Sequence, residues 1–268
     1  TTQIDSIVLN DMLPYFNEKY GNSSSNSHAF GWEAKAAIDL SRDQIAKLIN
    51  AKSDEIIFTS GATESINLAI KGLLKNIPLQ NNIITSSIEH KAVLDVCKSI
   101  SDNSSKVTFI KPNKDGIINV DLIEKAITTN TVLISIMHAN NEIGTVQPIN
   151  EIGLLCKKNN IIFHVDAAQS IGKININVNS MNIDLLSISS HKIYGPKGIG
   201  ALFIKNRQPP IRLSPIITGG GQEKNYRGGT LPTPLIVGFG KACELALNNM
   251  KNDNNEINEL TSFLINSI

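Results

Sequence analysis

Ser187-Ile188-Ser189-Ser190-His191-Lys192-Ile193-Tyr194-Gly195-Pro196-Lys197-Gly198 decides how this chain is read. An apolar run of strand length, Ile183–Ser189 (IDLLSIS), breaks abruptly into a polar cluster. A turn-forming Gly-Pro-Lys-Gly follows, and then a second apolar run, Ile199–Ile204 (IGALFI). The same pattern of an apolar run ending in polar residues recurs upstream. Glu55–Thr59 (EIIFT) leads to Gly61-Ala62-Thr63, and Asn82–Ser86 (NIITS) to Glu89-His90. Thr131–Met137 (TVLISIM) leads to Asn140-Asn141-Glu142, and Ile161–Val165 (IIFHV) to Asp166-Ala167-Ala168-Gln169. Lys106–Ile110 (KVTFI) is a further strand.

Between these runs apolar residues recur at helical spacing. Ile66, Ala69, Ile70, Leu73 and Leu74 share one helical face, and so do Val93, Val96, Cys97 and Ile100. Strands separated by helices build βαβ units, so the expected fold is α/β: a mainly parallel sheet with helices on both faces. In such sheets ligands sit outside the carboxyl ends of the strands, which is where the polar clusters fall.

The 268 residues suffice for one large domain and a short extra piece. The net charge of +1 gives no reason to expect nucleic acid or an anionic membrane as partner. No apolar run reaches bilayer length, and the first ten residues do not read as a signal peptide. Cys97, Cys156 and Cys243 are far apart and fall on helical apolar stripes. They read as buried structural residues, neither a disulfide framework nor a zinc site, and a reducing compartment fits them. No metal site is expected. The Asn-rich stretch Asn248–Asn258 reads as a polar helix face or a loop.

Ser60-Gly61-Ala62-Thr63-Glu64 joins a strand to a helix. Glycine there lets backbone approach a ligand, and a helix N-terminus with a neighbouring hydroxyl suits phosphate. A plain N-cap with Glu in the first turn would look the same. Neither GxxxxGK[ST] nor GxGxxG is present, so nucleotide fingerprints are missing. His90 opens a helix at the strand edge, where an imidazole can stack on a flat cofactor. His164 sits inside a strand and reads as a core residue, and His28 as a cap or turn residue. Asp166 is either a helix cap or the partner of a protonated pyridine nitrogen. Gln169 could reach a ring hydroxyl, and Asn141 could do the same or hold a substrate carboxylate. Lys192 is either a surface loop lysine or an amine able to form a Schiff base in a dry pocket. Ser189 and His191 flank it and can donate to a phosphate. Lys197, in its turn, is the rival lysine. Gly219-Gly220-Gly221 and Arg227-Gly228-Gly229-Thr230 are turns, hinges or lids. An amine, a carboxylate for a pyridine nitrogen and a phosphate cradle together point to pyridoxal 5′-phosphate (PLP).

In this light the chain resembles the cysteine desulfurases of the NifS/IscS type, PLP enzymes of the class V aminotransferase fold. The segments that carry the resemblance run in order along nearly the whole chain: Phe30-Gly31-Trp32-Glu33, Phe58–Ser65, Glu89-His90-Lys91, Asn140–Gly144, His164–Gln169, His191–Gly198 and Gly219–Glu223. Gln147-Pro148 and Thr230–Pro234 look like the mitochondrial and proteobacterial branch. The resemblance implies a PLP-dependent transferase type I large domain over 1–247, with 248–268 starting a small C-terminal domain that is mostly absent. Lys192 and His90 would be catalytic. Ala62, Thr63, His90, Asn141, Asp166, Gln169, Ser189, His191 and Lys192 would bind the cofactor. Thr230 would reach the phosphate of a partner subunit in a homodimer.

The implied reaction turns L-cysteine into L-alanine. The sulfur would leave as a persulfide for iron–sulfur scaffold or other sulfur-acceptor proteins and for tRNA thiolation, with no direct nucleic-acid or membrane contact. Bacterial cytoplasm or mitochondrial matrix is the implied location. Departures are Ser23 for proline, Ser190 for glycine beside the cofactor and Gly228 for serine. The family's loop with its catalytic cysteine, and its carboxylate-binding arginine, have no counterpart here, so this partial chain would bind PLP without delivering sulfur. A non-catalytic remnant acting as a scaffold, or another class V lyase such as a selenocysteine lyase, are the competing readings.

Overall fold

The computed structural model describes residues 1–77, 80–101 and 105–267. The chain runs through α1 (Ser6–Met12), α2 (Pro14–Asn17), α3 (Ala29–Leu48), β1 (Ile56–Thr59), α4 (Ala62–Leu74), β2 (Asn82–Ser86), α5 (Lys91–Ser101) and β3 (Lys106–Ile110). It continues through α6 (Val120–Ala126), β4 (Thr131–Met137), α7 (Ile149–Lys158), β5 (Ile162–Asp166), β6 (Leu185–Ser189), β7 (Gly200–Ile204) and α8 (Thr233–Ser267). The strands form one sheet in the order β1-β7-β6-β5-β4-β2-β3. All neighbours pair parallel except β7, which is antiparallel to both β1 and β6. The reversal follows from the connection. The turn at Gly195–Gly198 is too short for a parallel crossover, so β7 folds back beside β6.

Alternate residues of each strand enter different cores, as a sheet covered on both faces requires. Ile56, Phe58, Phe163, Val165 and Ile188 pack on the side of α3, α7 and α8. Ile57, Ile83, Leu133, Leu185 and Leu202 pack on the side of α4 and α5. The helical stripe read at Ile66, Ala69, Ile70 and Leu73 is buried in α4. Cys97, Cys156 and Cys243 are buried in α5, α7 and α8. His164 is fully buried, held between Ser135 Oγ (2.8 Å) and Ser187 Oγ (2.9 Å). His28 caps α3, its Nδ1 accepting from Gly31 N at 3.4 Å.

Several strand edges differ from the sequence reading. Glu55 lies in a one-turn 3-10 helix, and its carboxylate accepts from the backbone N–H of Lys52 and Asn206 instead of extending β1. Ile161, Ile183 and Ile199 precede their strands, and Asp166 is the last residue of β5. Asn248–Asn258 is helical throughout, within α8. The boundary expected at 247/248 falls inside α8, and residue 268 of the expected second segment lies outside the described residues. Among the described residues no helix is long and apolar enough to cross a membrane.

Candidate active site

The carboxyl ends of β1, β2, β4, β5 and β6 open on one side of the sheet, around a cavity of about 420 Å³, a size usual for a cofactor site. Ala62 and Thr63 line it from the start of α4, and His90 from the turn before α5. Asn141 lines it after β4, Asp166 and Gln169 at the end of β5, and Ser189, His191 and Lys192 at the end of β6. Thr230 does not line it; it is exposed on the segment before α8. Lys197, read as a loop lysine, is exposed in its turn yet also reaches the cavity rim.

One end of the cavity is made of backbone. α4 begins at Gly61, which has φ +150° and offers no side-chain cap. The first-turn N–H groups are therefore free for an anion, with the positive end of the helix dipole behind them. A side chain at Gly61 would adopt a strained backbone conformation. Gly200 of β7 must also be glycine, because a Cβ there would lie 2.7 Å from Gly61 Cα. Glu64 folds back to accept from Ser60 N (2.8 Å) and from Arg227 Nε (3.0 Å). Its carboxyl is held below the ordinary carboxylate range: the Arg227 and Ser60 hydrogen bonds outweigh the opposing effect of burial, which is the largest single influence.

Side chains line the rest of the cavity, Asp166 buried, His191 half-buried and His90 exposed. Asp166 is 5% exposed, and its Oδ1 accepts from Ala168 N at 3.0 Å. Burial raises its pKa, while the Ala168 N–H, His90 and Lys192 pull the other way. A buried carboxylate facing a cavity favours a cation or a strong donor opposite it. The His90 ring accepts from Ala92 N through Nδ1 (3.1 Å), so the neutral tautomer carries its proton on Nε2. Burial, then the charge of Lys192, lowers the pKa of His191.

Ser190, read as lying beside the cofactor, does not line the cavity. It is fully buried, and its Oγ occupies the place a Cβ at Gly195 would need, 2.0 Å away. The glycine-rich segment before α8 is tied down twice, by Arg42 to Glu223 (2.7 Å) and by Arg227 to Glu64. Glu223 also accepts from Phe58 N. The sequence reading missed the linking roles of Glu64 and Glu223. Their partners are 163 and 181 residues away, and no local pattern announces them. Among the described residues no cluster of three or more His, Cys, Asp or Glu side chains could hold a metal ion.

The donor set fits PLP. The uncapped helix N-terminus with Ser189 and His191 suits the phosphate, the buried Asp166 carboxylate suits a ring N–H, and Lys192 lines the same cavity. The whole chain, residues 1–268, matches the family described as aminotransferase class-V, a family of PLP-dependent enzymes. It is 54% identical to a protein named "Cysteine desulfurase, mitosomal" from Trachipleistophora hominis, covering 98% of this chain and 60% of that protein. It is 53% identical to "Cysteine desulfurase IscS" from Rickettsia typhi, covering all of this chain and 65% of that one. The chain thus spans under two thirds of the length of these relatives. Among solved structures, a NifS-like protein superposes with a TM-score of 0.95 at 39% identity, over 99% of this chain and 73% of that one. "SspA in complex with cysteine" superposes with a TM-score of 0.88 at 48% identity, over 91% and 70%. The chain belongs to the class V aminotransferase family, and its relatives there are named cysteine desulfurases.

Proposed function

We propose that this chain is the cofactor-binding part of a cysteine desulfurase, which converts L-cysteine to L-alanine and leaves the sulfur as a persulfide. The observation that carries the reading is the convergence of Lys192, the buried Asp166 carboxylate and the uncapped N-terminus of α4 on one cavity. PLP bound there supplies an aldehyde for an amine and an electron sink for the substrate Cα. Lys192 holds the aldehyde and moves the proton at Cα. Asp166 keeps a proton on the ring nitrogen, and Gln169 contacts the ring hydroxyl. Ala62, Thr63, Ser189 and His191 hold the phosphate. His90 stacks on the ring and holds a proton near the leaving thiol, and Asn141 orients the substrate carboxylate.

The sulfur carrier must be a thiolate, because the thiolate is the nucleophile. Burial pushes the Cys97 thiol up to about 12, and Cys156 and Cys243 are raised as well. We therefore place the carrier cysteine on a segment outside this chain. A thiol on that segment takes the sulfur of cysteine, so that cysteine and thiol become alanine and persulfide. The persulfide passes to an iron–sulfur scaffold, to other sulfur acceptors or to tRNA thiolation. Residues 1–247 act as the large domain and 248–268 start the small one. The enzyme works as a homodimer in a bacterial cytoplasm or mitochondrial matrix, Thr230 reaching the partner's phosphate. The exposure of Thr230 and its absence from its own cavity support that last role.

The test adds L-cysteine to the PLP-loaded chain and follows the cofactor absorbance. The reading predicts a saturable spectral change that needs more cysteine after Asn141→Ala. A PLP-loaded chain whose spectrum ignores L-cysteine would contradict it.

A further inference from the structure

Glu89 opens the turn that carries His90, yet the chemistry above gives it nothing to do. It is 5% exposed. Its Oε1 accepts from Ser86 Oγ at 2.5 Å, within its own turn, and from Met137 N at 2.9 Å, at the end of β4. Met137 pairs in register with Asp166 on β5. The carboxyl of Glu89 thus bridges the His90 turn to the strand next to Asp166. Asn140 adds a second tie, its Nδ2 donating to Ile88 O at 3.0 Å. Glu89 Oε2 is buried and has no hydrogen-bond partner among the described residues.

Among the described residues no cation pairs with this carboxyl. The titratable groups that interact with it by charge are Asp166, from β5, which raises its pKa, and Cys97, on α5, whose pKa it raises. Neither is positive. A charged carboxylate buried in this way, beside a second carboxylate, would be far more costly than the neutral acid. We infer that Glu89 is a positioning residue that works as a neutral carboxylic acid: it clamps the His90 turn to β4 and leaves Asp166 as the single carboxylate charge at the ring end of the site. This rests on the PLP reading above only for what His90 and Asp166 do. Burial pushes the Glu89 pKa up to about 8, with Asp166 adding to the rise.

A neutral acid and an amide of the same shape accept the same two hydrogen bonds, which gives the test its logic. Glu89→Gln and Glu89→Ala are compared with the parent chain. Without cofactor, thermal unfolding is followed from pH 5 to pH 8.5. A carboxyl whose pKa is higher folded than unfolded stabilises the fold fully at low pH and loses that contribution as pH rises toward about 8. E89Q should therefore gain in Tm on the parent steadily across that range. With PLP, E89A should bind about tenfold more weakly and move the pH midpoint of the cofactor spectrum. E89Q should restore both. A Tm difference independent of pH, or an E89Q midpoint that departs from the parent as far as E89A does, would overturn the inference. If the parent takes up no PLP, the cofactor reading fails, while the pH-dependent Tm still decides the protonation state of Glu89.

Discussion

The two parts of the cavity wall are built by opposite means. The α4 end uses backbone: an uncapped helix N-terminus and two glycines in close contact. The β5 end uses the buried carboxyl of Asp166, whose pKa burial raises, and behind the lining lies Glu89, raised by burial and by Asp166. A backbone site is fixed once the fold forms and is insensitive to pH. A carboxylate site is only as good as the charge state its surroundings impose. The difference predicts where substitutions will hurt.

The largest effect should come from the carboxylate end. Asp166→Ala removes the carboxylate proposed to pair with the ring N–H and should weaken PLP binding about 100-fold, measured by cofactor absorbance against PLP concentration. Loss confined to a few-fold would mean that the ring end contributes little. At the backbone end, Gly61→Ala forces a side chain to φ +150°. It should lower PLP affinity about tenfold and cost the apo chain about 1–3 kcal/mol in denaturant unfolding. Full stability with lost affinity would place the effect in the anion cradle alone. Ser189→Ala deletes a single hydroxyl donor and should cost about threefold in PLP affinity.

A fourth expectation concerns the core beneath both ends. Burial lowers the pKa of His164 to about 3 and of His138 to about 4, from an ordinary 6.5. Bases with depressed folded pKa values stabilise the fold fully above 6.5, and that contribution drains away as pH falls toward about 4 for His138 and about 3 for His164. His164→Gln should flatten the acid limb of the stability curve while lowering stability at pH 7.5. An unchanged acid limb would show that His164 does not govern it.

The alternation of apolar runs and helical stripes made the parallel sheet readable, and the polar residues after each run marked the site edge. Helix α3 escaped that reading. Its buried face mixes Ile38, Ile45 and Leu48 with Gly31, Ala34, Ala37 and Ser41, and Gly240 of α8 lies against it so closely that a Cβ there would be 2.6 Å from Ser41 Cα. The small residues interrupt the stripe of large apolar side chains that marks α4 and α5. The antiparallel course of β7 was implicit in its short turn, but strand-length runs alone carry no direction. Glu64 and Glu89 were visible as residues and silent as to role. One depends on Arg227, distant in sequence, and the other on burial that only the folded sheet creates. Lys192 was singled out by position, and the structure adds what lies around it: Asp166 and the start of α4 on the same cavity.

The most direct measurement is borohydride reduction of the chain after incubation with PLP, followed by mapping of the labelled peptide. The account predicts an absorbance band near ~420 nm that reduction abolishes, with the cofactor fixed on Lys192 and no label in Lys192→Ala. A folded chain that shows no band, or label that settles on Lys197, would contradict it.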